Sequence, residues 1–255
     1  MELTNAIRKS VRQLADARHR REAGLFTAEG TKCVTDTLPH FTPRLIAATR
    51  KWAEEHADLL RGHDVAIATR ADLERMSSLT TPAPVIAVYE MPHHAMPSVE
   101  ELATQLVIAL DRIQDPGNLG TIIRVADWMG VRHILASRDT VDAFNPKVVQ
   151  ATMGSIARVA VHYCDLADEL PHLAERVPVY GTLLDHRAEN IYTAALPQSA
   201  VLVMGNEGRG VSDDVRALLT NTLFIPPYPA DAATAESLNV AVATSIALAM
   251  FRRQA

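Results

Sequence analysis

Six polar residues stand in turns where a chain built only to fold has little use for them. They are Asn118 and Arg124 in LDRIQDPGNLGTIIRVADWMG (residues 110–130), Asn206 and Glu207 in VLVMGNEGRGV (201–211), and Ser237 and Asn239 in SLNVAVATSIALAMF, which starts at 237. The first two segments each read as a short apolar strand, a Gly/Asn-rich turn and a helix. Turns at the carboxyl ends of strands in an α/β sheet are where ligands bind, so the three turns predict one composite site. The glycines of MGNEGRG let backbone N–H groups approach a ligand closely. Glu207 among them repels phosphate, so this turn suits a cation or a group carrying N–H or O–H donors. It is neither a Walker A loop nor GxGxxG.

Each residue also has a purely structural explanation. Asn118 can cap the helix that follows Pro116-Gly117, and Ser237 can cap the last helix. Ser212, with Asp213 and Asp214 after it, reads as a helix start. Arg124 lies among Ile122, Ile123, Val125 and Ala126, and such an Arg either snorkels outward or points into a polar cleft.

These turns need a framework to hold them. After residue 104 the strand-like runs 105–110, 132–136, 156–163, 177–184, 200–205 and 222–227 alternate with helical patterns at 119–129, 146–152, 166–175, 212–219 and 237–252. Regular βα alternation predicts a mainly parallel sheet with helices on both faces. MPHHAMPSVE (91–100) has two prolines and no periodicity, and reads as a linker. His93 and His94 within it have no matching carboxylate or Cys spacing, so no metal site is expected. Before it, helical spacing over 3–17, a helix after Glu29-Gly30, strands at 44–49, 64–69 and 84–90 and a helix at 71–80 describe a small α/β module. The expected division is 1–92, a linker over 93–103, and 104–255.

Composition narrows the class. Hydrophobic residues make up 48% of 255, which excludes a disordered chain, and aromatics only 5%, which suits an aliphatic parallel-sheet core. The net charge of −5 argues against indiscriminate nucleic-acid binding, yet residues 1–22 hold six Lys/Arg against three Asp/Glu. Their basic face comprises Arg8, Lys9, Arg12, Arg18, Arg20 and Arg21. Cys33 and Cys164 form no CxxC pair and are expected to be reduced core residues. The N-terminus has no apolar signal core, and the longest apolar stretch, 238–251, is about 14 residues, too short for a bilayer. A cytoplasmic location is expected.

Taken together, N-x5-R on the first helix, MGNEGxG, IP…SLNVAVA and the intervening NPKVVQATMGSIARVAV resemble the motifs of the SpoU/TrmH family of RNA ribose 2′-O-methyltransferases, within the SPOUT superfamily. The resemblance spans roughly 104–253. The basic helix and RREAGLFTAEGTKCV resemble the family's N-terminal substrate-binding extension. One departure is PPYPADAATAE, longer than the usual loop before SLN and without glycine. The resemblance implies a mainly parallel α/β sheet with a C-terminal trefoil knot, preceded by a small α/β (L30e-like) domain that binds RNA. It implies S-adenosylmethionine as cofactor, contacted at Gly205, Ile225, Leu238 and, as a looser match, Thr182. It implies a homodimer formed by the catalytic domain, and an RNA substrate that is ribosomal rather than transfer RNA. Arg124, Asn118, Glu207, Ser237 and Asn239 are the implied catalytic set, with Arg124 clamping the ribose hydroxyl and a neighbouring phosphate, since guanidinium stays protonated. The alternatives are a non-catalytic RNA-binding or ribosome-assembly protein, a Rossmann-type methyltransferase and a dinucleotide enzyme. The intact residue set argues against the first, and the missing glycine fingerprints against the other two.

Overall fold

The computed structural model describes residues 2–185, 187–229 and 235–253. The chain forms two compact units, Met1–His93 with Asp142–Ala157, and His94–Val141 with Arg158–Ala255.

The first unit holds a four-stranded sheet of β1 (Leu25–Glu29), β2 (Pro43–Ala48), β3 (Val65–Ile67) and β4 (Val85–Glu90), in the order β1-β4-β2-β3. β4 is antiparallel to both neighbours, and β2 and β3 are parallel. The helix expected over 3–17 is two helices, Asn5–Gln13 and Ala17–Ala23. Asp16 breaks it by capping the second, its Oδ1 accepting from Arg18 N at 2.9 Å and His19 N at 3.2 Å.

The expected basic face is reduced accordingly. Arg20 is only 1% exposed. It donates to the Asp142 carboxylate at 2.6 and 3.1 Å and to the carbonyls of Leu14 and Ala15 at 2.9 Å. Arg8 pairs with Asp72 at 2.8 Å. A buried, fully paired guanidinium is structural, so Lys9, Arg12, Arg18 and Arg21 are the exposed cations of this stretch.

The segment Asp142–Ala157, assigned to the C-terminal domain by the sequence reading, belongs to the first unit by its contacts. The Phe144 ring packs tilted against Phe26, centroids 4.7 Å apart, within an aromatic group that includes Phe41 and Tyr89. Buried Cys33 donates its thiol to Val149 O at 3.8 Å, and burial pushes that thiol up to about 12. Both cysteines are unpaired and buried.

The second unit holds seven parallel strands: β5 (Leu106–Asp111), β6 (His133–Ser137), β7 (Ala160–Cys164), β8 (Val179–Thr182), β9 (Glu189–Asn190), β10 (Ala200–Gly205) and β11 (Asn221–Phe224). Their order is β7-β6-β5-β10-β8-β11-β9. Val107, Ala109, Val201 and Val203 face a cluster with Leu166, Leu170, Leu173 and Val215. The alternate residues Leu106, Ile108, Leu110, Leu202 and Met204 are also buried, as a central parallel strand requires. The helices Pro116–Trp128 and Val240–Arg252 pack on each other. The chain runs outward from β5 through β6 and β7, then returns to build the other half. β5 and β10 are therefore adjacent strands whose onward connections diverge, and their last residues, Asp111 and Gly205, are paired in register. Ligand clefts open at such a switch point. None of the helices, among the described residues, is long and apolar enough to cross a membrane.

Candidate active site

The turn after β5 is set by its capping residue. Asp115, not Asn118, caps the helix Pro116–Trp128: Asn118 N donates to Asp115 Oδ1 at 2.8 Å, and Pro116 takes the first helical position. Asn118 is thus three residues into the helix and its side chain is free to reach outward. It uses both ends of its amide. Nδ2 donates to Glu207 Oε1 at 2.8 Å, and Oδ1 accepts from Asn239 Nδ2 at 2.8 Å. Asn239 is the cap of the last helix, its Oδ1 accepting from Ala241 N at 2.9 Å and Val242 N at 3.3 Å. Ser237 is two residues outside that cap, so its structural explanation as an N-cap does not hold.

The turn after β10 closes on itself. Asn206 and Gly210 exchange backbone hydrogen bonds at 3.0 and 2.9 Å. Asn206 Oδ1 accepts from the N–H groups of Gly208 and Arg209, and Asn206 Nδ2 donates to Arg112 O at 2.8 Å. A Cβ on Gly205 would collide with the backbone of Gly210 and Val211, so only glycine lets the loop fold back there. Ser212 begins the following helix, Asp213–Arg216, without a side-chain cap bond. Its N–H instead donates at 2.6 Å to Asp111, a carboxylate only 2% exposed at the end of β5.

The turn after β10 and the segment before the last helix border one cavity of about 550 Å³, within the range of small-molecule sites; Asn118 and Asn239 do not line it and connect to it through Glu207. Thr182, Gly205, Ile225 and Leu238 all line it, together with Glu207 and Ser237. Met204 and Val240 add apolar wall, and Asp185 stands at the rim paired with Arg187 at 2.8 Å and Arg216 at 3.7 Å, both of which also line the cavity. Hydrogen bonds from the Arg187 side chain and backbone hold the Asp185 carboxyl down to about 2. Glu207 Oε2 has no partner among the described residues. Arg124 is apart: it does not line the cavity, is exposed, and makes no hydrogen bond or ion pair among the described residues. It shares an exposed face of its helix with Thr121 and Trp128, the latter 87% exposed. Residues 230–234 of PPYPADAATAE lie outside the described residues.

Sequence reasoning passed over Asp111 and Arg112. The signal was present, since both follow an unbroken apolar strand at the point where it meets the turn. Arg112 takes φ 60°, the left-handed region, at a cost of roughly 1–2 kcal/mol for a side chain of this kind. Ser137 Oγ accepts its N–H at 2.8 Å and Asn206 holds its carbonyl, which together fix this backbone.

The SpoU rRNA Methylase family matches residues 105–249, and the MRM3-like substrate binding domain matches 5–87. The chain belongs to the SpoU rRNA methylase family. Among its relatives is the 23S rRNA (guanosine(2553)-2′-O)-methyltransferase RlmP of Bacillus subtilis, 34% identical over 93% of this chain and 92% of that protein. The AdoMet-bound rRNA methyltransferase from Sinorhizobium meliloti superposes with a TM-score of 0.85 at 30% identity, covering 100% of this chain and 98% of that one. The SpoU methyltransferase AviRb from Streptomyces viridochromogenes, in complex with AdoMet, has a TM-score of 0.82 at 26% identity, with 98% of each chain covered. The larger sheet and the N-terminal extension therefore both have counterparts across nearly the whole chain.

Proposed function

We propose that this SpoU-family chain transfers a methyl group from S-adenosylmethionine to a ribose 2′-hydroxyl of ribosomal RNA. The observation that carries the reading is the relay Asn239–Asn118–Glu207, which ties three separate turns to the rim of one cavity. The cavity fits the cofactor by its own features. Gly205 lets the loop fold back to shape the wall, Ile225, Leu238 and Val240 offer apolar surface, and Glu207 offers a carboxylate oxygen to a cationic or hydroxyl-bearing ligand. When bound, the cofactor supplies a methyl already activated on a sulfonium.

The protein must then align the hydroxyl and take its proton. Both ends of the Asn118 amide are engaged, so it holds Glu207 in place. That leaves Glu207 Oε2 to accept a hydrogen bond from the 2′-hydroxyl and so orient it. Ser237 adds a second hydroxyl-orienting group. Arg124 acts as a planar clamp on the hydroxyl oxygen and the adjacent phosphate, and the proton passes to that phosphate or to water. Arg124 sits on the face with Trp128, and Val242 of the packed C-terminal helix is also exposed. Burying this apolar face against a second copy would form the homodimer and bring Arg124 to a reacting centre. The trefoil knot belongs to the same reading, supported by the late strand β10 lying between β5 and β8. A cytoplasmic enzyme is the corresponding location.

The test is incubation of the protein with labelled S-adenosylmethionine and unmodified 23S rRNA, followed by nuclease digestion. The expected result is one 2′-O-methylated nucleoside. Label on a base would overturn the ribose assignment, and cofactor binding with no transfer to any ribosomal RNA would favour a non-catalytic assembly protein on this fold.

A further inference from the structure

Beside the cofactor cavity lies a second, more polar one of about 220 Å³, lined by Arg112, Gln114, Asp139, Asn206 and Arg209. Asn206 and Arg209 line both cavities, so the glycine turn is the wall between them. Two guanidinium groups meet here without full pairing. Arg112 Nε is buried and makes no hydrogen bond among the described residues; it forms an ion pair with Asp111 Oδ1 at 3.3 Å. Asp111 itself is committed to Ser212 N. The Arg209 side chain and the Gln114 amide make no hydrogen bond among the described residues. Asp139, the carboxylate at this cavity, accepts from Ser137 Oγ at 2.7 Å. With Asp111 and Asp139 beside Arg112 and Arg209 the formal charges balance, while Arg112 Nε, the Arg209 side chain and the Gln114 amide keep N–H donors that make no hydrogen bond among the described residues.

The backbone at Arg112 adds a second, independent observation. Its left-handed φ of 60° is disfavoured for an arginine, and two hydrogen bonds, to Ser137 Oγ and from Asn206 Nδ2, hold it there. Backbone strain that surrounding bonds enforce marks sites where side-chain direction matters. Here the constraint runs through Asn206, the residue that also shapes the turn carrying Glu207.

We infer that this cavity is a phosphate subsite for the RNA backbone next to the methylated ribose, with Arg112 and Arg209 bracketing one phosphate and Gln114 donating to it. The inference rests on the RNA methyltransferase reading and adds to it a positioning site distinct from the cofactor pocket. Two guanidinium forks match a phosphate's oxygens bidentately. The shared Asn206 wall makes a phosphate held here set where the neighbouring ribose falls relative to Glu207. S-adenosylmethionine carries no phosphate, so this site serves the RNA alone.

Binding of 23S rRNA is measured at several salt concentrations for the wild type, Arg112→Asn and Arg112→Lys, beside calorimetry with S-adenosylmethionine and steady-state methyl transfer. Asparagine tolerates the left-handed backbone, so Arg112→Asn removes the guanidinium with the turn kept. Loss of one phosphate contact lowers the slope of log K against log[salt] by about one. KM for RNA should rise about tenfold in Arg112→Asn, more than kcat falls, with cofactor affinity retained. Arg112→Lys should keep the slope and recover part of the affinity. Equal slopes and equal RNA affinities in wild type and Arg112→Asn overturn the subsite while wild-type transfer leaves the enzyme reading intact. A loss that depends on the identity of the target base, with an unchanged salt slope, overturns it in favour of base recognition. A wild type that transfers no methyl overturns the enzyme reading instead, and the salt slopes still decide the subsite.

Discussion

Arg124 and Glu207 divide the proposed chemistry between a clamp and an acceptor, and each can be tested alone. Arg124 has no partner among the described residues, so its removal leaves no described buried group unsatisfied. Arg124→Ala should lower methyl transfer by about two to three orders of magnitude, with melting temperature and cofactor affinity nearly unchanged. Arg124→Lys should also be poor, because a point charge does not replace a planar fork. A fully active alanine variant would return Arg124 to the status of a surface residue. Glu207→Gln preserves the size of the side chain and an oxygen for Asn118 Nδ2, but leaves an amide N–H₂ where Oε2 faces the cavity. Transfer should fall by about a hundredfold with cofactor binding kept, measured as kcat against the calorimetric Kd. A Gln variant as fast as wild type would remove Glu207 from the groups that orient the reacting hydroxyl. Of these residues the sequence showed type and order, and the caps show where local reading stops. Asn118 and Ser237 both qualify as caps by type, yet Asp115 and Asn239 take those roles because they lie one residue before the first helical turn.

At the scale of elements, the site depends on how tightly the chain turns after β10. Gly205 lies where its own loop folds back onto it, so Gly205→Ala must open the Asn206–Gly210 closure. Cofactor affinity should drop by at least about tenfold, roughly 1.4 kcal/mol, while the far-UV spectrum stays native. Unchanged calorimetric affinity would show that this closure does not shape the pocket. Strands of the second unit were legible because their apolar runs are continuous and end in turn residues. β9 was not: two exposed residues, Glu189 and Asn190, pair with β11 through backbone alone, and nothing in their side chains announces it.

Two properties belong to the whole molecule. His162 is buried on β7, with His133 Nδ1 at 3.2 Å from its Nε2 and His94 nearby, while Glu101 lies 3.7 Å from His133. Burial, then the charges of His133 and His94, pushes His162 down to about 4; burial lowers His133 as well, against the raising effect of Glu101. The folded state thus favours neutral imidazole, and the unfolded chain takes up protons first as pH falls. Stability contributed here is complete above about pH 6.5, is lost on the way down to about pH 4, and amounts to at most about 3 kcal/mol. Thermal melts between pH 7.5 and 4.5 should show this loss in the wild type and a shallower one in His162→Gln. Parallel losses in both would place the acid sensitivity elsewhere. The second property is the charge of the first unit. With Arg8 and Arg20 committed to carboxylates, RNA attraction rests on Lys9, Arg12, Arg18 and Arg21. Neutralising Lys9, Arg12 and Arg21 together should weaken RNA binding about tenfold or more at low salt and lower the salt slope, with cofactor binding intact. An unchanged slope would show that these charges only solvate a helix face. Substitution is the better probe than deletion, because Asp142–Ala157 takes its partners Arg20, Phe26 and Cys33 from the first 93 residues.

The sequence by itself determined the alternation of strands and helices, the parallel class of the larger sheet, the family and the identity of the polar residues at the three turns. These follow from local composition and from motifs that span few residues. Only the tertiary structure decided which partners those residues take. The relay Asn239–Asn118–Glu207 joins positions 121 and 89 residues apart, and the strand order that brings β10 beside β5 is a choice no local pattern encodes. The same holds for Arg20, read as one cation among six until Asp142, 122 residues away, closes on it. Side-chain type and periodicity are local quantities, whereas burial and pairing depend on chain crossings that the packing of the whole sheet selects.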